Sequence, residues 1–194
     1  MTPPLKLHLG CGRTILPGWL NVDIVDLPGV DLVADFDSCR TVPLPLGDDS
    51  VGEVLMSHVI EHVDDTLALM QELWRVSIPG ASMTVRLPYG SSDDAWEDPT
   101  HRRPYFLQSF GYFSAPYYWR ADYGYRGDWY TDRITLRLDP AIHDGADRAE
   151  IMRRIHHLRN QVVEMVVELH AVKPARPADR SLQHVPPMVL EWTS

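Results

Sequence analysis

At 194 residues, 44% hydrophobic and with a net charge of −9, the chain can bury one good core, and its acidic balance argues against a general binder of nucleic acid. Two cysteines, Cys11 and Cys39, are too few for a disulfide framework and lack metal-ligand spacing, which points to a reducing cytoplasm. No apolar run approaches the roughly 18 residues of a membrane span, and the opening MTPPLKL lacks the basic and apolar regions of a signal peptide, so a soluble, cytoplasmic, single-domain protein over residues 1–194 is expected.

The first element is the most informative. In residues 5–24, LKLHLGCGRTILPGWLNVDI, an apolar strand breaks at Gly10-Cys11-Gly12 and a second apolar run closes on Asp23. Glycines after a strand let the backbone turn sharply and approach a ligand, and an acid at the tip of the next strand can accept two ribose hydroxyls. A dinucleotide site would need a third glycine opening a full helix and an acid about 20 residues further on. Here Ile15 occupies the third position, and only ten residues, Pro17 among them, separate Gly12 from Asp23. That crossover holds at most a short helical turn and cannot cradle a pyrophosphate, so the spacing suits a cofactor with ribose and adenine but no phosphate.

Further along, VDLVADF (30–36) reads as a third strand and residues 52–58 as a fourth. Asp64-Asp65 cap a helix in which Leu67, Leu69, Met70, Leu73, Trp74 and Val76 fall mostly on one face; a turn at Ile78-Pro79-Gly80 ends it before a fifth strand, 81–89. Strands alternating with crossovers predict an α/β fold with a doubly wound, mostly parallel, Rossmann-like sheet. Between residues 90 and 132 periodicity fails. Twelve of the chain's eighteen aromatic residues lie between Tyr105 and Tyr130, the triplet Tyr117-Tyr118-Trp119 included, which reads as an aromatic-rich cap or lid over an apolar or planar substrate. A homodimer surface and an insertion with its own small core are the alternatives. Strands at 134–139 and 162–174 flank a helix at 147–160, and the proline-rich end, 174–194, reads as an extended strap. The arginines 148, 153, 154 and 159 read as a solvated helix face more readily than as a polyanion site.

Over residues 5–90, and more weakly at the tail phrase AVKP, the chain resembles the class I S-adenosylmethionine (SAM)-dependent methyltransferases, in a short-crossover, type 11-like group whose motifs read LxLGCGxxxxxGWxNVD and HVIEHV. The resemblance implies that the tail supplies a final antiparallel pair of strands. It places Gly10, Cys11 and Gly12 against the methionine part of SAM, Asp23 on the ribose diol, Asp35 and Phe36 at the adenine, and Ser57 and His58 beside the methyl donor. For Asp35 a plain strand-end cap is the alternative.

The segment His58-Val59-Ile60-Glu61-His62 also spells a zinc-peptidase pattern, H-x-x-E-H, which would make a metal-dependent hydrolase of His58, Glu61 and His62. That pattern needs a helix with both histidines on one face, whereas here the first histidine ends a strand. Some methyltransferases hold a divalent ion with a Glu-His pair at this position, which would make Glu61, His62 and His101 the ligands; in many relatives the pair is a core and helix-start feature.

The block AWEDPTHRRPYF, 95–106, enters the rim after the fifth strand. Within it His101 reads as a general base oriented by Asp98, or else Asp98-Pro99-Thr100-His101 is a turn capped by its aspartate. Arg102, Arg103, Arg120, Arg126 and Arg133 would contact a phosphate or carboxylate on the substrate, or pair with Asp122, Asp128 and Asp132. The reading is a SAM-dependent methyltransferase acting on an oxygen or nitrogen of a small molecule, a sugar or secondary metabolite. A SAM-binding partner subunit without activity is the alternative from another class, and an RNA ribose methylase would need a continuous basic surface.

Overall fold

The computed structural model describes residues 3–116, 121–183 and 186–193. Its strands are β1 (Leu5–Leu9), β2 (Leu20–Asp23), β3 (Leu32–Val33), β4 (Val51–Ser57), β5 (Ser77–Leu87), β6 (Trp129–Leu138), β7 (Glu164–Ala171) and β8 (Met188–Trp192). They form one sheet in the order β3-β2-β1-β4-β5-β7-β6-β8. The first five are parallel to one another, β7 runs antiparallel to both β5 and β6, and β8 is parallel to β6. The helices are α1 (Thr66–Val76), the single turn α2 (Asp94–Glu97) and α3 (Arg148–His157).

Because β1→β2→β3 steps one way across the sheet and β4→β5 the other, right-handed crossovers put their connections on opposite faces. On one face lies α1, capped by Asp65, which accepts the Ala68 amide at 3.1 Å, and buried along Leu69, Met70, Leu73 and Val76. The crossovers at 10–19 and 24–31 contain no helix. The sequence matches this asymmetry residue by residue. In β5 the buried Ala81, Met83, Val85 and Leu87 alternate with Ser82, Thr84 and Arg86, which are at least partly open to solvent. On the uncovered face the strands are tied by cross-strand ion pairs: Lys6–Glu53 (2.7 Å), Arg133–Glu168 (2.5 Å), and a row Arg86–Glu164–Arg137–Glu191 that spans four strands. His8 and its β2 partner Asn21 are well covered there, and Trp19 of the first short crossover meets the His8 ring at a separation of 6.4 Å.

Three element boundaries differ from expectation. The third strand is two residues, since Asp35 starts a 3-10 turn at Phe36–Ser38 by accepting the Asp37 amide. β5 begins directly after α1 at Ser77 and bulges through Pro79-Gly80, pairing Val51 with Ser77 and then Glu53 with Ser82, so the expected turn is a bulge within the strand. β6 begins at Trp129, because the Trp129 indole, fully buried, donates to the Met70 carbonyl and fixes the strand's start beneath α1. The strap ends in β8, along the edge of β6.

Within 90–132, Tyr105, Phe110, Phe113, Tyr125 and Trp129 are buried in the main core, while Phe106 and Tyr123 are exposed. Tyr117, Tyr118, Trp119 and Arg120 lie outside the described residues. Each of the four arginines read as a helix face has a partner: Arg153 and Arg154 pair with Glu150, Arg159 with Asp93, and Arg148 donates to the Met188 carbonyl. Among the described residues no helix is long and apolar enough to cross a membrane.

Candidate active site

The carboxyl ends of β1, β2, β3 and β4 meet around a cleft of about 340 Å³ lined by Gly10, Asp23, Asp35, Phe36, His58 and His62, among others. Gly10 is required twice over. Its φ is +61°, and a Cβ there would stand 2.3 Å from Val59 Cγ2. At Gly12, with φ +53°, a Cβ would meet open space, so the backbone conformation alone calls for glycine there. The Asp23 carboxylate accepts the Gly12 amide at 2.8 Å and the Val25 amide at 3.0 Å, which fixes both the glycine turn and its own orientation while leaving lone pairs free. Cys11 and Ser57 adjoin these residues in the chain without lining the cleft. Burial, and then the charge of Asp23, push the Cys11 thiol up; Cys39, mainly through burial, is pushed up to about 12, so neither is a reactive thiolate.

His58 leaves β4 at φ +55°, and both of its ring nitrogens face carboxylates: Nδ1 lies 3.4 Å from Glu61 Oε1 and Nε2 3.4 Å from Glu164 Oε1. The bond to Glu164, then that to Glu61, raises its pKa to about 9 against the effect of burial. Burial works against ionisation of Glu164, but His58 and Arg86 hold it down to about 2. A histidine occupied on both nitrogens is no metal ligand, so the H-x-x-E-H geometry of a hydrolase is not formed; residues 60–62 are a 3-10 turn, not part of a helix.

Two turns face each other beside this cleft. The Arg102 amide donates to the Glu61 carbonyl at 2.7 Å and ties 98–102 to the Ile60–His62 turn. His62 and His101 rings pack edge to face at 4.6 Å. Asp98 does not orient the His101 ring, contrary to the expectation. Its carboxylate accepts from the Thr100 amide (2.8 Å) and hydroxyl (2.6 Å), bonds that also lower its pKa. The Thr100 oxygen in turn sits 2.9 Å from His62 Nδ1. Nothing in the sequence signalled the partners of Thr100 and Glu164; the first was hidden as a turn residue, the second as one more acid in an internal strand.

Residues 7–85 match the family model for a methyltransferase domain. Solved structures agree on the fold: a SAM-dependent methyltransferase from Archaeoglobus fulgidus (16% identity, 86% of each chain covered, TM-score 0.59) and the YcgJ protein from Bacillus subtilis (14%, 88% of this chain and 92% of that one, 0.53). A third, phosphoethanolamine N-methyltransferase 1 from Haemonchus contortus, was solved with phosphoethanolamine and S-adenosylhomocysteine (12%, 94% of this chain and 43% of that one, 0.50). No curated protein matches the sequence significantly. The donor set fits the SAM that the sequence resemblance implies: a carboxylate anchored by two backbone amides and a glycine turn that reaches the cleft at Gly10.

Beside this cleft lies a second, larger one of about 560 Å³, lined by Thr66, Arg103, Tyr105, Phe106, Tyr112 and Phe113 among others. Arg103 donates to the Asp64 carbonyl and Arg102 pairs with Asp64 at 3.3 Å. Arg126 pairs with Asp122, whereas Arg133 pairs with Glu168 rather than Asp132, which binds His170. The charge cluster at β4 has a pH signature. His58 has its folded pKa above its ordinary value, so its stabilising contribution is complete below pH ~6.5 and is lost as pH rises through about 9. The melting temperature is expected to fall between pH 6.5 and 9.5, and His58→Gln to flatten that slope; an unchanged slope in differential scanning fluorimetry would contradict the assignment.

Proposed function

We propose that this methyltransferase methylates an oxygen or nitrogen of a small molecule, a sugar or secondary metabolite, bound beneath the aromatic segment 90–132. The observation that carries the reading is the adjacency of two clefts: His62 lines the cofactor cleft and Thr66, four residues on, lines the aromatic one. Bound SAM supplies the methyl group. Asp23 holds its ribose, Asp35 and Phe36 meet the adenine, and the Gly10-Cys11-Gly12 turn lets the backbone approach the methionine part. Ser57 and His58 close the end of β4 near the methyl. Tyr105, Phe106 and Tyr112 offer ring faces to an apolar or planar acceptor, and Arg103 offers a positive charge to an anionic group on it.

Transfer needs the acceptor atom, methyl carbon and sulfur in line, so alignment by these walls supplies most of the rate. The acceptor proton leaves at the rim, where His101 receives it while Asp98 shapes the turn that carries it. Calorimetry with SAM and S-adenosylhomocysteine, followed by transfer of labelled methyl to a library of hydroxyl and amine acceptors, tests the proposal. Micromolar cofactor binding and methylation of at least one compound are expected; absence of cofactor binding would overturn it.

A further inference from the structure

We infer that the aromatic cleft opens into a smaller polar compartment that takes a neutral sugar unit, and that the acceptor is therefore a planar metabolite carrying a glycosyl group. The inference rests on the reading of the aromatic cleft as the acceptor site and deepens it. Successive residues of one stretch of chain line three hollows in order. His62 and Val63 line the cofactor cleft, Thr66 and Leu67 the aromatic one, and Leu67, Ala68, Gln71 and Glu72 a third hollow of about 220 Å³. Leu67 and Tyr123 line both the aromatic cleft and the third hollow, so these two adjoin. At a rise of 1.5 Å per residue, Gln71 lies about 7–8 Å beyond Thr66 along α1, the reach of one ring past another. Alone, the third hollow is below the roughly 300–1,000 Å³ of a complete ligand site, which suits it to one part of a ligand whose remainder lies in the aromatic cleft.

One side of this hollow is a face of α1, since Leu67 and Gln71, and Ala68 and Glu72, are each four residues apart. The opposite wall, Tyr123-Gly124-Tyr125, is fixed by three bonds. The Arg126 amide donates to Gln71 Oε1 at 2.7 Å, the Gly124 amide donates to the Asp122 carboxylate at 2.8 Å, and the buried Tyr125 hydroxyl donates to the Phe113 carbonyl at 3.1 Å. Gly124 makes the bend at φ +81°, a conformation that favours glycine.

The charges that line the hollow are already matched. Arg40 donates to Asp65 through Nε at 2.7 Å and Nη2 at 3.0 Å. Glu72 accepts Arg75 Nε at 2.8 Å, Arg75 Nη2 at 2.6 Å and the Leu44 amide at 2.7 Å. A phosphate or carboxylate would have to displace Asp65 from Arg40, whereas a neutral polyol leaves both pairs intact. What the lining offers such a polyol is a mixture of donors and acceptors. Gln71, its oxygen taken, has its amide N–H groups to give; Arg40 has Nη1, the nitrogen that Asp65 does not use; and Glu72, with three of about four lone-pair sites used, keeps one on Oε2. Tyr123, 62% exposed, stands at the junction of the two hollows and offers a ring to the C–H face of a pyranose. An apolar group in this place would leave those donors and acceptors without partners.

The test compares 4-nitrophenyl glycosides of glucose, galactose and rhamnose with 4-nitroanisole, which has the same ring and ether oxygen without the sugar. Dissociation constants are measured by saturation-transfer NMR on the full chain, with S-adenosylhomocysteine added to fill the cofactor cleft. At least one glycoside is expected to bind about 10-fold more tightly than 4-nitroanisole, the gain from one or two hydrogen bonds. Gln71→Glu keeps the oxygen that takes the Arg126 amide and removes the N–H donors, while Arg40→Lys keeps the charge opposite Asp65 and removes Nη1. Each should erase most of the glycoside's advantage and leave the 4-nitroanisole affinity as in wild type, which also shows that the variant is folded. Equal binding of 4-nitroanisole and every glycoside, or an advantage that both variants keep, would overturn the sugar compartment and leave the acceptor cleft standing. Binding of S-adenosylhomocysteine with none of the probes bound would remove the acceptor cleft and the sugar compartment with it; no binding of S-adenosylhomocysteine would remove the methyltransferase reading itself.

Discussion

Asp23→Ala is expected to lower SAM affinity by at least 100-fold. In the proposed reading the carboxylate accepts two ribose hydroxyls, and hydrogen bonds to a charged group contribute about 1.5–3 kcal/mol each, so the loss of both amounts to roughly 3–6 kcal/mol. A second effect adds to it. Asp23 also accepts the amides of Gly12 and Val25, so without it the glycine turn loses the anchor that sets its distance from the cofactor. Asp23→Asn separates the two, because the amide oxygen still takes one backbone N–H while the negative charge on the diol is gone. The order wild type, Asn, Ala in calorimetric affinity, with unchanged near-ultraviolet circular dichroism, is the expected result. An alanine variant that binds as tightly as wild type would move the ribose site elsewhere.

The cleft at the ends of β1 to β4 was legible because its signals are local. The break at Gly10-Cys11-Gly12, the ten-residue gap to Asp23 and the acids ending successive strands are all sequence-near facts, and the structure brings Gly10, Asp23, Asp35, Phe36 and His58 around one cleft. The short crossovers told more than was read from them. Crossovers without a helix leave sheet surface uncovered, and the alternation Ser82, Thr84, Arg86 in β5 states this in the sequence. The acceptor half was less legible because its contacts are distant in sequence. Thr100 meets His62 across 38 residues and Glu164 meets His58 across more than a hundred, and no periodicity announces either. The aromatic segment shows the same limit: burial, not type, distinguishes Phe110 and Trp129, which are core, from Phe106, which lines the second cleft.

Arg176→Met is expected to destabilise the fold by about 3–5 kcal/mol, the range for removing one member of a buried ion pair. Asp128 has no solvent exposure and receives its hydrogen bonds almost wholly from Arg176: backbone amide at 3.0 Å, Nε at 2.8 Å and a terminal nitrogen at 2.7 Å. The same guanidinium reaches Ser114 Oγ at 2.9 Å, so one side chain fastens the C-terminal strap both to the start of β6 and to the aromatic segment. With methionine in its place the carboxylate stays buried and keeps only the backbone bond. Two variants separate charge from packing. Asp128→Asn with Arg176→Met removes the unpaired charge and should recover part of the loss, while Arg176→Lys keeps a charge but loses the two-pronged fit and should fall between. Urea unfolding measures all of them. A single mutant within about 0.5 kcal/mol of wild type would mean that the strap does not hold the acceptor side together, and the aromatic cleft would then owe its shape to Trp129 and α1 alone.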